Sequence, residues 1–373
     1  MDLTAGKDLG IPDGVLINGK GPYQYNSTRV ANVIDCETVV VHPGKTYLIR
    51  VHNVGVSTSL NFRIQHHNLL LVETEGSYTV QQKYTNMDIH VGQSYAFLVK
   101  MDQNASNDYY IVASPRFVNE SLRQRVTGVA ILHYSNSKGK ASGPLPVPLN
   151  DQLDKTFSMN QARSIRWNVS TSGAHPDPLQ SFQNGSINAT QVYVLKNQPA
   201  VTINGDGRTT LSGISFVNPS APIMLSDQFK LTRVYKLDFP SRPITGPPKM
   251  ETSIINGTYE GLMELIFQNN DMNMQSYHVD GYAFFVLGMD FGEWTENSRG
   301  TYKKWDGIAR STTQTIIHVL DMTIASSSFH HLRSKMFINQ TNGCSHYRKL
   351  VRYRRFKNAG KSPTNAGQAT PTF

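Results

Sequence analysis

Along the first 135 residues, apolar and polar positions alternate in short runs. In Lys45-Thr46-Tyr47-Leu48-Ile49-Arg50-Val51-His52-Asn53, Tyr47, Ile49 and Val51 fall on one side, and Thr46, Arg50 and His52 on the other. That period of two belongs to a half-buried strand, and Gly44 and Gly55 close it at either end. Residues 93–100 repeat the pattern with Tyr95, Phe97 and Val99 inward. Leu60, Phe62 and Ile64 form another strand, and residues 126–134 read as a closing one. No window of 12 residues carries an apolar stripe of helical period, so helices should be few. Short strands with turn residues between them predict an all-β sandwich.

The rhythm breaks once. Residues 138–160 begin Lys138-Gly139-Lys140-Ala141-Ser142-Gly143-Pro144-Leu145-Pro146-Val147-Pro148, a composition that reads as a linker between two sandwiches. A second strand series follows at residues 200–203, 229–238 and 259–268. Residues 61–73 and 275–287 also lie over one another at an offset of 214. Each holds a short strand, a polar corner and an apolar strand, which predicts two related sandwiches.

Charge alters this picture only at the end of the chain. The 373 residues carry a formal +9. Residues 315–373 hold nine Lys/Arg against the single acid Asp321, so +8 of that charge lies there and the preceding 314 residues are nearly neutral. A polyanion-binding surface over the whole protein is thereby excluded. Within the tail, residues 348–357 interleave Arg and Lys with Tyr353 and Phe356, a pattern that could hold phosphates and stack on bases. No nucleic-acid-binding motif accompanies it, and a solvated arm is the expected reading. No run of 18 apolar residues spans a membrane, and the first seven residues lack the apolar core of a signal peptide. Cys36 and Cys344 permit one disulfide at most and match no zinc or redox pattern. Asn26, Asn104, Asn119, Asn168, Asn184, Asn188, Asn256 and Asn339 each open an N-x-[ST] triplet, an excess that favours a glycosylated, secreted protein.

Two segments carry a family resemblance. Asp13-Gly14-Val15-Leu16-Ile17-Asn18-Gly19-Lys20-Gly21-Pro22 resembles the opening of the second cupredoxin domain of multicopper oxidases. Gln275-Ser276-Tyr277-His278-Val279-Asp280-Gly281-Tyr282 stands where that family carries its His-Pro-x-His-x-His-Gly ligand block. With Met289-Asp290-Phe291-Gly292-Glu293-Trp294 and Lys304-Trp305-Asp306-Gly307-Ile308-Ala309-Arg310, the chain is similar to the plant ascorbate-oxidase-like glycoproteins of the pollen-specific and skewed-growth type. The resemblance covers about residues 1–314. It implies two cupredoxin-like Greek-key sandwiches, the family's second domain at 1–137 and its third, truncated, at 161–314. Residues 315–373 are then a divergent, disordered basic tail, as a truncated or misjoined reading frame would leave. The resemblance further implies a secreted protein of the cell surface or wall, linked to pollen tube or directional cell growth, with a wall polysaccharide or wall protein as partner.

The family's copper chemistry needs a His-Cys site for single electrons and a cluster bound by His-x-His pairs, whose spacing puts two imidazoles on one strand face. This chain has no His-x-His. Of the three ligand-block positions, Gln275, His278 and Asp280, one keeps its imidazole. Copper is the family-level cofactor, none is expected here, and ascorbate-oxidase turnover is the alternative reading. The remaining candidates have plainer readings. His66 and His67 are adjacent and face opposite ways, as a surface pair does, while Cys344-Ser345-His346 lies in the tail. Asp280 with Glu264 and Glu73 with Glu75 read as solvated carboxylates at strand ends. Tyr277, Tyr282, Phe284, Phe285, Phe291 and Trp294 read as core rather than as a sugar-stacking cleft.

Overall fold

The computed structural model describes residues 12–354, apart from 22–23, 26–27, 30–35, 56–57, 149–150, 152, 167–188, 259–260, 272–273, 280–283, 302–309, 312, 317–319, 328–333, 337 and 341–352; residues 24–25, 28–29 and those after 300 are described by backbone alone. Near the start, Ile17 bridges Lys20 across Asn18-Gly19, whose positive φ values of 51° and 77° suit a tight two-residue turn. A short hairpin follows, β1 (Gln24–Tyr25) with β2 (Thr28–Arg29).

Nine strands then build the first sandwich: β3 (Thr38–Val41), β4 (Thr46–His52), β5 (Leu60–Ile64), β6 (Leu69–Thr74), β7 (Ser77–Tyr84), β8 (Met87–Ile89), β9 (Ser94–Lys100), β10 (Tyr109–Pro115) and β11 (Gly128–Tyr134). They form two sheets in the orders β3-β11-β10-β5-β8 and β4-β9-β6-β7. The helix α1 (Glu120–Val126) joins β10 to β11, and the Asn119 side chain caps it by accepting from the Leu122 N–H. Between the sheets lie Phe62, Ile64, Leu69, Phe97, Val99 and Leu132, all buried. Each contributes about 1.5–3 kcal/mol by leaving water. Every strand expected from the alternation in this half is present.

The second half is built from β12 (Gln191–Ile203), β13 (Asp206–Leu211), β14 (Ile214–Phe216), α3 (Ile223–Gln228), β15 (Lys249–Glu251), β16 (Ile255–Asn256), β17 (Leu262–Asn269), β18 (Gln275–Val279), β19 (Phe284–Phe291), β20 (Arg310–Ser311), β21 (Thr313–Ile316), β22 (Leu320–Ser327), β23 (Ser334–Met336), β24 (Ile338–Gln340) and β25 (Tyr353–Arg354). The main sheet runs β15-β14-β13-β12-β17-β22-β19-β20, and two three-stranded sheets run β21-β18-β24 and β16-β23-β25. Leu195, Leu265, Phe267, Tyr277, Phe284 and Val286 form the buried core.

Three expectations need correction. Residues 229–238 form no strand: Lys230 and Arg233 have φ of 52° and 64°, outside the extended range, and Phe229, Leu231 and Leu237 are exposed. The sheet does not stop at residue 314, because β22 lies between β17 and β19 and pairs with both. Leu320-Asp321-Met322-Thr323-Ile324 alternates as a strand should, and the segment around it, 311–332, carries no Lys or Arg, so the basic charge of the tail begins only after the strand. The repeat holds at an offset of 215, since β5 and β18 begin at 60 and 275 and β6 and β19 at 69 and 284. With that register Phe62, Ile64, Leu69 and Leu71 of one core match Tyr277, Val279, Phe284 and Val286 of the other. A slip of one residue would turn every side chain to the wrong face.

The expected linker is also more than a spacer. The described residues between 141 and 166 form a strap along the outer face of the five-stranded sheet, and within it α2 (Lys155–Ser164) is capped by the Asp154 side chain on the Phe157 N–H. Arg63 donates from Nε to the Pro146 carbonyl at 2.6 Å. Arg116 donates to the carbonyls of Asp151 and Asp154 at 2.8 and 3.0 Å. Past that point α2 bridges the two cores: Ile165 packs into the first, while Met159 and Ala162 pack into the second. Arg163 extends from α2 to the Met289 carbonyl of β19 at 2.8 Å and pairs with Asp290.

Beneath the strap, Arg116 Nε lies 3.1 Å from Asp88, and both side chains are almost wholly removed from solvent. Removing one charge of such a pair strands the other. Arg116→Met is expected to lower the unfolding free energy by about 3–5 kcal/mol in urea titrations. Asp88→Leu combined with Arg116→Met should recover much of that loss; an equal loss in single and double variants would contradict the pairing.

Candidate functional site

Two of the three ligand-block positions, Gln275 and His278, sit on β18. Gln275, Tyr277 and Val279 share one face of that strand, and His278 lies on the other. Gln275 is 3% exposed and its amide donates to Asp271 at 3.2 Å, while Tyr277 stacks on Phe267 with ring centres 4.3 Å apart. His278 is half-buried and faces Thr313 of β21 and Asn339 of β24 in register. Asp280 lies outside the described residues.

These groups do not fit a copper ion. A copper site needs converging imidazole, thiolate or thioether donors. Here one position is an amide turned towards the core and hydrogen-bonded to a carboxylate, and the one imidazole points the opposite way. Among the described residues no three His, Cys, Asp or Glu side chains come together as metal ligands would.

The other sequence candidates resolve as follows. Glu264 does not pair with a carboxylate; Arg299 grips both its oxygens, at 2.8 Å for the shortest contact, and also covers the Trp294 ring. Glu75 accepts from the Ser94 N–H at 2.8 Å and ends β6 near Glu73. Tyr277, Phe284, Phe285 and Trp294 are buried as expected, Phe291 is exposed, and Tyr282 lies outside the described residues. Cys36 is half-buried and unbridged, and Cys344 and His346 lie outside the described residues. Asn104, Asn119 and Asn256 are exposed; Asn339 is described by backbone alone, and Asn26, Asn168, Asn184 and Asn188 fall outside.

His66 and His67 are not a surface pair. His66 turns the corner at φ 60° and is exposed, whereas His67 is buried. His67 Nδ1 lies 2.6 Å from the Gln65 carbonyl, so it carries the proton, and Nε2 accepts from the Tyr134 hydroxyl at 2.8 Å. Burial lowers its pKa despite the Gln65 bond. This histidine pins the β5–β6 corner to β11.

The feature that the sequence does not reveal is the polar face under the strap. Asn61 donates to Asn86 and Asp88, both at 2.7 Å, and Arg63 reaches Ser114 at 2.8 Å. Gln161 of α2 accepts from the Asp88 N–H at 2.7 Å and donates to the Asn86 carbonyl at 2.9 Å. His90 completes the row, with Ser59 at 2.8 Å and Ser158 of α2 at 3.4 Å. Alternation predicts Asn61 and Arg63 as a solvent face, and only the strap's path turns that face inward. The Asp154 cap was the available signal for α2.

Comparison with known proteins places the chain. The multicopper oxidase family profile matches residues 2–137 and again residues 220–319. The chain is 73% identical over 312 residues to the monocopper oxidase-like protein SKU5 of Arabidopsis thaliana, covering 84% of this chain and 53% of that relative. It is 38% identical to an L-ascorbate oxidase homolog of Brassica napus, over 84% of this chain and 54% of the other. The chain thus spans about half the length of these relatives. Among solved structures, the laccase from Botrytis aclada has the same fold at a TM-score of 0.62 and 15% identity, covering 89% of this chain and 57% of that one.

Burial holds His90 down at about 4, although Asp88 works against the shift. A histidine kept neutral in the fold but free to protonate when unfolded stabilises the protein fully above pH about 6.5, and that stability is lost as pH falls towards 4. Between pH 7 and 5 the His90 contribution should fall by about 2 kcal/mol, with His67 adding in the same direction. His90→Gln is expected to flatten the pH dependence of urea stability over that range; an unchanged slope would show that His90 is not buried neutral.

Proposed function

This chain belongs to the multicopper oxidase family, and we propose that it is a non-catalytic member of it: a secreted glycoprotein of the plant cell surface or wall that acts by binding rather than by electron transfer. The reading rests on the ligand corner, where Gln275 is tied to Asp271 within the core side of β18 and His278 stands on the opposite face. Copper is the family's cofactor, and no reaction step is assigned through it here. The relatives named monocopper oxidase-like support the placement, and directed cell growth, including that of pollen tubes, is the process proposed for it. Its partner is a wall polysaccharide or wall protein.

The exposed sequons agree with that setting. Asn104 and Asn119 use their side-chain oxygens in local bonds, to the Ser106 N–H and to the Leu122 N–H and Ser121 hydroxyl. Their amide nitrogens, the atoms that carry a glycan, are not needed for those bonds. Enzymatic deglycosylation in heavy-oxygen water should therefore label Asn104 and Asn119 in protein secreted from plant cells; unlabelled asparagines at both would contradict the glycoprotein reading.

The deciding experiment is copper content of the purified chain with its visible spectrum. Copper well below one per chain, without a blue band and without ascorbate oxidation, is the expected result. Stoichiometric copper with a blue band would overturn the reading in favour of a copper oxidoreductase.

A further inference from the structure

After α3 the chain makes a knuckle that the fold does not use. Phe229 is 63% exposed, and Met224, Leu225, Leu231 and Leu237 are exposed around it. Lys230 and Arg233 lie between them with φ of 52° and 64°, values that side chains with a Cβ rarely adopt. Two such residues within four positions cost free energy, so the surroundings must impose the shape. They do so through several bonds. The Phe229 N–H donates to Leu225 and the Leu231 N–H to Ser226, at 2.9 and 2.8 Å. The Tyr235 hydroxyl donates to Asp227, and Ile223 packs on Ile254 below.

Charge singles out the occupant. Among the described residues Lys230 and Arg233 have no ion-pair partner. Glu251 pairs with Lys236, whereas Asp227 and Asp238 accept from the Tyr235 and Ser253 hydroxyls, and over residues 224–237 Lys230, Arg233 and Lys236 stand against Asp227 alone. The knuckle therefore offers an exposed aromatic ring, with cations one and four positions further along and a net positive charge, on a body that is nearly neutral before the tail. A chain of uronic acids presents the complement: pyranose faces of C–H groups for the ring, and carboxylates for the cations. A lipid surface would answer the apolar side chains but gives no stacking role to one isolated ring.

We propose that the knuckle at residues 224–237 is a docking surface for an acidic polysaccharide, with Phe229 stacking on a sugar ring and Lys230 and Arg233 pairing with uronate carboxylates. This names the partner within the wall-facing reading above and rests on it.

The basic tail would draw any polyanion, so the test compares polymers on the full chain. Polygalacturonate carries carboxylates and sugar faces, whereas polyaspartate carries carboxylates alone. Phe229→Ala is expected to weaken polygalacturonate binding roughly fivefold and to leave polyaspartate binding unchanged. Lys230→Ala with Arg233→Ala should flatten the salt dependence of polygalacturonate binding. All three sites are exposed, and an unchanged melting temperature confirms that the fold is intact. Unchanged polygalacturonate affinity in Phe229→Ala would overturn the proposal. So would an equal loss on polyaspartate, or a loss confined to phosphatidylserine vesicles. Copper loading with oxidase turnover would end the non-catalytic reading and leave this binding result standing.

Discussion

The buried pair of Asp88 and Arg116 governs how the two halves of this chain are joined. A guanidinium and a carboxylate withdrawn from water are tolerable only if every donor and acceptor around them is used. Arg116 meets part of that demand by spending Nη1 and Nη2 on the carbonyls of Asp151 and Asp154, while its Nε and the facing Asp88 Oδ2 are held by charge at 3.1 Å without an aligned hydrogen bond. The strap is thus fixed to the first sandwich by charges that would be ruinous without it. Asn61, Arg63, Asn86 and Gln161 extend the same arrangement along the sheet. The α2 helix is held in place as a consequence, and its far side reaches the second core through Met159, Ala162 and Arg163.

That joint bears on function. In both halves, a strand turns a corner into the opposite sheet, and in both the inward residues match at an offset of 215. In the first half, the corner is secured by His67 between the Gln65 carbonyl and the Tyr134 hydroxyl. In the second, the equivalent strand carries Gln275, buried and bonded to Asp271, and His278 on its other face. The scaffold's strand and core positions are kept, and Gln275 is hydrogen-bonded to Asp271 within them.

Much of the fold was legible because strands with one buried face announce themselves by alternation. Tyr95, Phe97 and Val99 were inward both in pattern and in fact. The polar face was not legible for a physical reason: alternation says which residues avoid the core, not whether water or another segment covers them. Asn61 and Arg63 look solvent-facing until Pro146 and α2 are laid over them. Residues 229–238 failed in the opposite way, since apolar alternation there serves an exposed knuckle with left-handed backbone. The strand β22 is passed over when the charge of residues 315–373 is read as a whole, although the basic residues there begin only at Arg333. At the ligand block, residue identity was informative, because an amide and a single imidazole already weakened the case for copper. That Gln275 and His278 face opposite ways needed the strand register.

Hydrogen exchange of the native chain tests the joint most directly, since peptides spanning residues 86–91 and 146–165 report on both sides of the polar face. If the strap is part of the first sandwich, the two regions share high protection and lose it together in Arg116→Met. Rapid exchange of residues 146–165 beside a fully protected sheet would mean that the segment is a free linker, and that the two halves are not held together in the way described.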